Sequence, residues 1–314
     1  MLMKHSLKIT ILLILLFFFS QLIGLSITSQ YIDKTTTLET GNFTARPLPS
    51  VANYEIERPV AEDQNLSFIP VIIAVLIGTI LLLVLIKFRA RLLWKVWFFV
   101  AIAYTLFIAL NPWVEKLLSL ISPVLTAGNL VALGVATVLA ALKVFRNNVY
   151  IQNITELFLY GGLAAIFFDY FNLLSVSILL IVISLYDMFA VWQSKHMIKL
   201  ANFQTESKVF AGLMVPYSMP KKAPATLPHE EKITVKVRNA ILGGGDIGFP
   251  LLFSSVVMKY YGFGSAVIIA VAATIALSYL LIKAEKDKFY PAMPFLSAGC
   301  FAGLGFVYLL QFIH

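Results

Sequence analysis

Apolar runs of membrane-crossing length recur along this chain, separated by short polar links, and they restrict its fold more than any other feature. A helix that crosses a bilayer needs about 20 mostly apolar residues. Runs of that order fall at about 9–27, 68–86, 93–110, 125–142, 154–171, 173–192, 240–258, 266–282 and 292–313. Backbone polar groups in hydrocarbon must be satisfied within the segment itself, so the runs predict an all-α membrane protein with nine transmembrane helices. Only 13% of residues are charged and 60% are hydrophobic, against roughly a quarter charged in a soluble domain. Little of the chain remains for a separate soluble unit, and residues 1–314 read as one membrane domain.

Two segments are long enough to be loops of substance. One, about 28–67, holds Pro47, Pro49 and Pro59 with mixed charges and no core of its own. It also contains Asn42-Phe43-Thr44 and Asn65-Leu66-Ser67, which match the glycosylation pattern, a pattern short enough to arise by chance. The other, about 193–239, carries Pro216, Pro220, Pro224, Pro228 and the Lys221-Lys222 pair, and reads as a solvated linker lying along the membrane surface. The segment 111–124, with an apolar stretch at 117–121 and Pro123, leaves the ends of the third and fourth spans open. The first run follows Lys4 and Lys8 and is long enough for an anchor rather than a signal peptide.

The net charge of +8 is set by where the cations lie. Lys4 and Lys8, then Lys87, Arg89, Arg91 and Lys95, then Lys143 and Arg146, the loop after span six, and Lys283, Lys286 and Lys288 all fall on one side if nine spans alternate. Cytoplasmic loops are enriched in Lys and Arg. The N-terminus is therefore expected in the cytoplasm and His314 outside, as in a prokaryotic plasma membrane. Cations in short inter-span clusters give no basic face for nucleic acid. Cys300 has no second cysteine to pair with, and His196 lacks acidic or cysteine neighbours at ligand spacing, so neither a metal nor another cofactor is expected.

Ionisable groups within hydrocarbon cost a few kcal/mol even on permissive insertion scales, and two carboxylates stand out. Asp187 lies about five residues before the end of the sixth run, some 7 to 8 Å deep at about 1.5 Å per residue. Asp246 lies a comparable distance into the seventh. The two runs meet the same surface, so their aspartates sit at similar depth. Two carboxyls held together in a low-dielectric site do not both ionise comfortably and tend to share a proton, which suits acid/base hydrolysis. Position alone leaves open that each aspartate bonds a neighbouring helix or lines a wet cavity. Glu156 and Asn153, near a helix end, and Asn129, near the opposite surface, are expected to be solvated, and Asp169 to cap an outside turn. Tyr186 either packs or hydrogen-bonds near Asp187.

The context of Asp246 is unusual. Gly243-Gly244-Gly245 precedes it, and Gly248 and Pro250 follow. Such residues weaken a helix and could open a wet pocket, although small residues also serve close helix packing in membranes. The last run opens with Pro291-Ala292-Met293-Pro294, by itself an ordinary helix start.

Taken in order, Tyr186-Asp187, Gly243-Gly244-Gly245-Asp246 and Pro291-Ala292-Met293 resemble the Tyr-Asp, Gly-x-Gly-Asp and Pro-Ala-Leu signatures of the presenilin and signal peptide peptidase family of intramembrane aspartyl proteases. Span number, motif order and spacing are similar over the whole chain, and Met293 departs from the usual leucine. The resemblance implies a presenilin-like bundle and an aspartic endopeptidase that hydrolyses peptide bonds within transmembrane helices. It further implies that Asp187 and Asp246 are the catalytic pair, that Gly243 and Gly245 shape the active-site segment and that Pro291-Ala292 seats substrate. The short N-terminus and the short loop after span six resemble a minimal archaeal homologue. The charge-derived orientation matches the presenilin branch, which implies type I membrane substrates. The loop 193–239 and the residues flanking Gly243 and Pro291 offer backbone for a substrate to add as a β-strand. The implied partners are transmembrane substrates and the lipid bilayer, and homo-oligomerisation stays open. A prepilin peptidase shares Gly-x-Gly-Asp but has fewer spans. An ion channel or proton-coupled transporter also uses paired intramembrane carboxylates, although no inverted repeat is evident.

Overall fold

A computed structural model describes residues 6–33, 43–51, 55–88, 90–121, 128–146, 148–194, 210–217, 239–284 and 290–313. Most of the 193–239 loop lies outside these residues, with Lys221, Lys222 and His196, as does Asn42 of the first glycosylation pattern. The helices are α1 (Leu7–Gln30), α2 (Phe68–Lys87), α3 (Arg91–Ile121), α4 (Gly128–Phe145), α5 (Val149–Phe167) and α6 (Leu173–Phe189). Two short strands follow, β1 (Gly212–Pro216) and β2 (Asn239–Gly243), then α7 (Gly244–Lys283) and α8 (Met293–Ile313).

Seven of the described helices, all but α5, are long and apolar enough to cross a bilayer. The difference from nine lies in two places. α5 carries Glu156 and falls outside the seven, and the expected seventh and eighth spans are joined in α7. Its 40 residues would extend about 60 Å if straight, twice the hydrocarbon thickness. Gly262, at φ 80° and ψ 175°, interrupts it and divides it into arms of about one bilayer each. The third span continues through Pro112 to Ile121, so most of segment 111–124 extends that helix. Residues 240–243, expected to open the seventh span, instead belong to β2. Strand pairing with β1 supplies the backbone partners there, and the helix begins only at Gly244.

Small residues set the helix contacts, as expected where lipid gives apolar side chains no reason to prefer one another. Ala132, Ala136 and Ala140, one turn apart on α4, are fully buried in a helix that packs chiefly on α3. A Cβ on Gly161 of α5 would lie 2.9 Å from the Cα of Gly24 on α1, and one on Gly162 would meet the Thr105 carbonyl of α3 at 2.2 Å. Gly299 and Gly303 let α8 lie against α7 at Ala272, Ala273 and Ile269. α1 packs on both α5 and α7. α2 differs: more than half of its residues are exposed, almost none is fully buried, and it touches α6 and α3 only lightly.

At the end of the bundle remote from the two strands, the segment after α1 lies across the helix ends. Arg58 Nε donates to the Ala165 carbonyl at 3.2 Å, and its guanidinium stacks over Tyr31 and Phe168. Burial raises the Tyr31 phenol above its ordinary range, so it remains a donor, to the Ile108 carbonyl at 2.6 Å. Asp169 pairs with Lys259 at 3.0 Å, so it ties the α5–α6 turn to α7 instead of merely capping an outside turn. Asn129 bonds Asn111 and the Ser50 carbonyl at 2.7 and 2.8 Å in place of water.

Candidate active site

Asp187 sits in the last turn of α6, which runs on into a π-turn at Ala190–Ser194. Its side chain is buried. Oδ2 accepts the Met293 N–H at 3.1 Å, and the Ala292 N–H is directed at the same carboxylate. The first N–H groups of a helix have no partner inside it and form an anion site. In the Pro291-Ala292-Met293-Pro294 segment the prolines have no N–H to give, which leaves Ala292 and Met293 as the donors. One turn along, the Ser184 and Ser297 hydroxyls meet at 2.7 Å, both buried, and fix α6 against α8.

Asp246 is the third residue of α7. The helix starts inside the glycine run, at Gly244, with Gly243 as its extended cap at φ −66° and ψ 149°. The Asp246 carboxyl reaches back to the Gly243 N–H, one half of a capping box. It is half-buried and close enough to Asp187 for their charges to interact. The pair thus joins the C-terminal turn of one helix to the N-terminal turn of another. The glycines do not unwind the middle of a span; they make the passage from strand to helix.

The three glycines are not equivalent. A Cβ on Gly243 would stand 3.2 Å from Asp246 Oδ2, and one on Gly244 would stand 2.5 Å from the Tyr160 hydroxyl. At Gly245, which is exposed, a Cβ makes only ordinary contact with Phe249, at 3.6 Å. The crowded position is therefore Gly244, where the family pattern admits any residue.

Tyr160 of α5 is a site residue that sequence reasoning missed. Its hydroxyl is enclosed between Glu156 and Asp246; it interacts first with the Glu156 carboxylate and then with Asp246, and makes no hydrogen bond of full geometry among the described residues. Gln21 of α1 was missed as well. Fully buried, it donates to the Ile247 carbonyl at 3.0 Å and tethers the first turn of α7 to α1. A lone glutamine inside an apolar run was the available signal. Tyr186 bonds outward to α2, its hydroxyl 3.4 Å from Thr79 Oγ1.

Glu156 overturns an expectation. It is fully buried rather than solvated, in an ion pair with Lys143 of α4 and accepting from Gln152 Nε2 at 2.9 Å. It is thus a third enclosed carboxylate. Asn153 is likewise engaged, with the backbone of β1. Among the described residues no cluster of three His, Cys, Asp or Glu could hold a metal ion, and Cys300 is buried.

Comparison with known proteins gives a consistent picture. Residues 49–313 match the family model described as signal-peptide peptidase, presenilin aspartyl protease. Two solved structures of a presenilin family intramembrane aspartate protease, in P2 and C222 space groups, share the fold. The first superposes with a TM-score of 0.58 at 20% identity, over 95% of this chain and 96% of the other. The second gives 0.57 at 18% identity, over 96% and 99%. No curated protein matches the sequence.

Proposed function

This chain belongs to the signal-peptide peptidase and presenilin family of aspartyl proteases, and we propose that its peptide-hydrolysing pair is Asp187 and Asp246. The observation that carries the assignment is the placing of two carboxyls at the facing ends of α6 and α7, near enough to interact electrostatically, one of them held by the first N–H groups of α8.

An ionised carboxylate accepts a proton from water as the water oxygen attacks the scissile carbonyl carbon. The protonated partner hydrogen-bonds the carbonyl oxygen and then gives its proton to the leaving nitrogen as the C–N bond breaks. The Met293 and Ala292 N–H groups orient Asp187 throughout, and the Gly243 N–H orients Asp246. Tyr186, Gly243, Gly244, Gly245, Pro291, Ala292 and Met293 shape the site and seat substrate. A substrate helix hides its carbonyls in its own hydrogen bonds, so it must unwind first. The backbone beside Gly243 supports addition of the unwound segment as a strand.

The distribution of Lys and Arg supports an N-terminus in the cytoplasm and type I membrane proteins as substrates. The test is reconstitution in liposomes with a type I substrate. Asp187→Ala and Asp246→Ala should each abolish cleavage in folded protein. Full cleavage by either variant, or ion flux that depends on both aspartates without cleavage, would overturn the assignment in favour of a channel or transporter.

A further inference from the structure

We propose that Gln152 and Asn153 of α5 are positioning residues that seal the outer edge of β1, leaving the β2 edge beside Asp246 as the place where a substrate strand adds. The inference rests on the protease reading and on strand addition.

β1 and β2 are antiparallel, with Gly212 opposite Gly243, Met214 opposite Ile241 and Pro216 opposite Asn239. The Gly244 N–H donates to the Ala211 carbonyl at 3.2 Å, which sets the phase of the ladder. Backbone groups alternate along a strand between facing the partner and facing away. Ala211, Leu213 and Val215 therefore turn theirs toward β2, and Phe210, Gly212 and Met214 turn theirs away. An edge with open N–H and C=O groups is a template for another strand.

On β1 four of those outward groups are occupied, the Met214 N–H and the carbonyls of Met214, Gly212 and Phe210. The Asn153 side chain accepts from the Met214 N–H at 2.9 Å and donates to the Met214 carbonyl at 2.7 Å, the two bonds that a neighbouring strand would make. Gln152 Nε2 lies 3.0 Å from the Gly212 carbonyl and 2.9 Å from that of Phe210. The same nitrogen bonds Glu156, which Lys143 holds in a buried ion pair. A buried ion pair gives little net stability against apolar packing. Here it fixes the amide that closes the strand edge.

The second edge differs. The same phase turns the backbone of Gly243 and Ile241 away from β1; the Asp246 carboxyl takes the Gly243 N–H, and no further described strand pairs with β2 at Ile241. Ile241 is exposed. β2 passes directly into α7, so a strand in register there runs past Asp246. Sealing one edge thus gives the sheet a direction, and the substrate carbonyls meet the carboxyl pair instead of the face of α5.

Disulfide trapping tests this in otherwise intact protein with Cys300 replaced by Ala. Cysteines placed along a transmembrane substrate are offered to Ile241→Cys or Met214→Cys. Trapping is expected at position 241, with a two-residue period along the substrate, and not at 214. In the Gln152→Leu/Asn153→Leu variant, trapping at 214 should appear, exchange of the Met214 amide should accelerate, and kcat/KM should fall about tenfold. Asn153→Leu alone frees both Met214 groups; it should accelerate exchange of the Met214 amide and serves if the double variant does not fold. Trapping at 214 with Gln152 and Asn153 intact, or clasp variants identical to the parent, overturns the clasp alone. Absence of trapping at both positions in protein that still cleaves overturns strand addition, and the steering role with it.

Discussion

Residue by residue, the site depends on backbone N–H groups and on space. Gly244 has no room for a side chain because of one atom, the Tyr160 hydroxyl. Overpacking of this kind costs about 1–3 kcal/mol. Gly244→Ala should therefore lower kcat/KM about tenfold or more, and adding Tyr160→Phe should recover much of the loss, because the remaining ring atoms stand 3.3 Å away. Cleavage assays on the two single variants and the double variant decide it, and equal loss in the double would remove Tyr160 as the cause. Met293 acts on Asp187 through its N–H, so Met293→Leu, which keeps that N–H and a similar volume, should stay within about twofold of the parent in the same assay. Asp187 and Asp246 were legible in the sequence because carboxylates are costly in hydrocarbon. Tyr160 was not, since a tyrosine in an apolar run is unremarkable until folding places Gly244 against it.

Among the elements, the ends of helices carry the chemistry and the strands carry its geometry. The runs at 68–86 and 173–192 match α2 and α6 closely, because apolar length is a direct record of membrane crossing. β2 was hidden within an expected span, and its pairing to β1 depends on a partner segment distant in the chain. The Lys143–Glu156 pair was hidden for the same reason, each residue reading as a solvated helix end until α4 and α5 pack. Removing one member leaves a buried charge without its counterion, at about 3–5 kcal/mol. Lys143→Met should lower the unfolding midpoint in detergent strongly, and Lys143→Met/Glu156→Leu should lower it less. A double variant as unstable as the sum of its singles would contradict an ion pair at this site.

For the whole molecule, the positive clusters predict which end faces the cytoplasm, and the fold separates two ends that can be labelled. Val60 is exposed at the end remote from the strands, Tyr217 is partly exposed beside β1, and the native Cys300 is buried. In intact cells a membrane-impermeant thiol reagent should label Val60→Cys, and should label Tyr217→Cys only after permeabilisation. The reverse pattern would place the N-terminus outside and point to substrates of the opposite orientation. Asp187 and Asp246 work as one unit, and turnover of a transmembrane substrate by Asp187→Asn, Asp246→Asn and the double variant measures that coupling. Residues that act together give non-additive losses. Each single change should lower turnover about 10³-fold or more and the double should fall no further; substantial turnover by either single variant, or losses that multiply in the double, would show that the two aspartates do not act together.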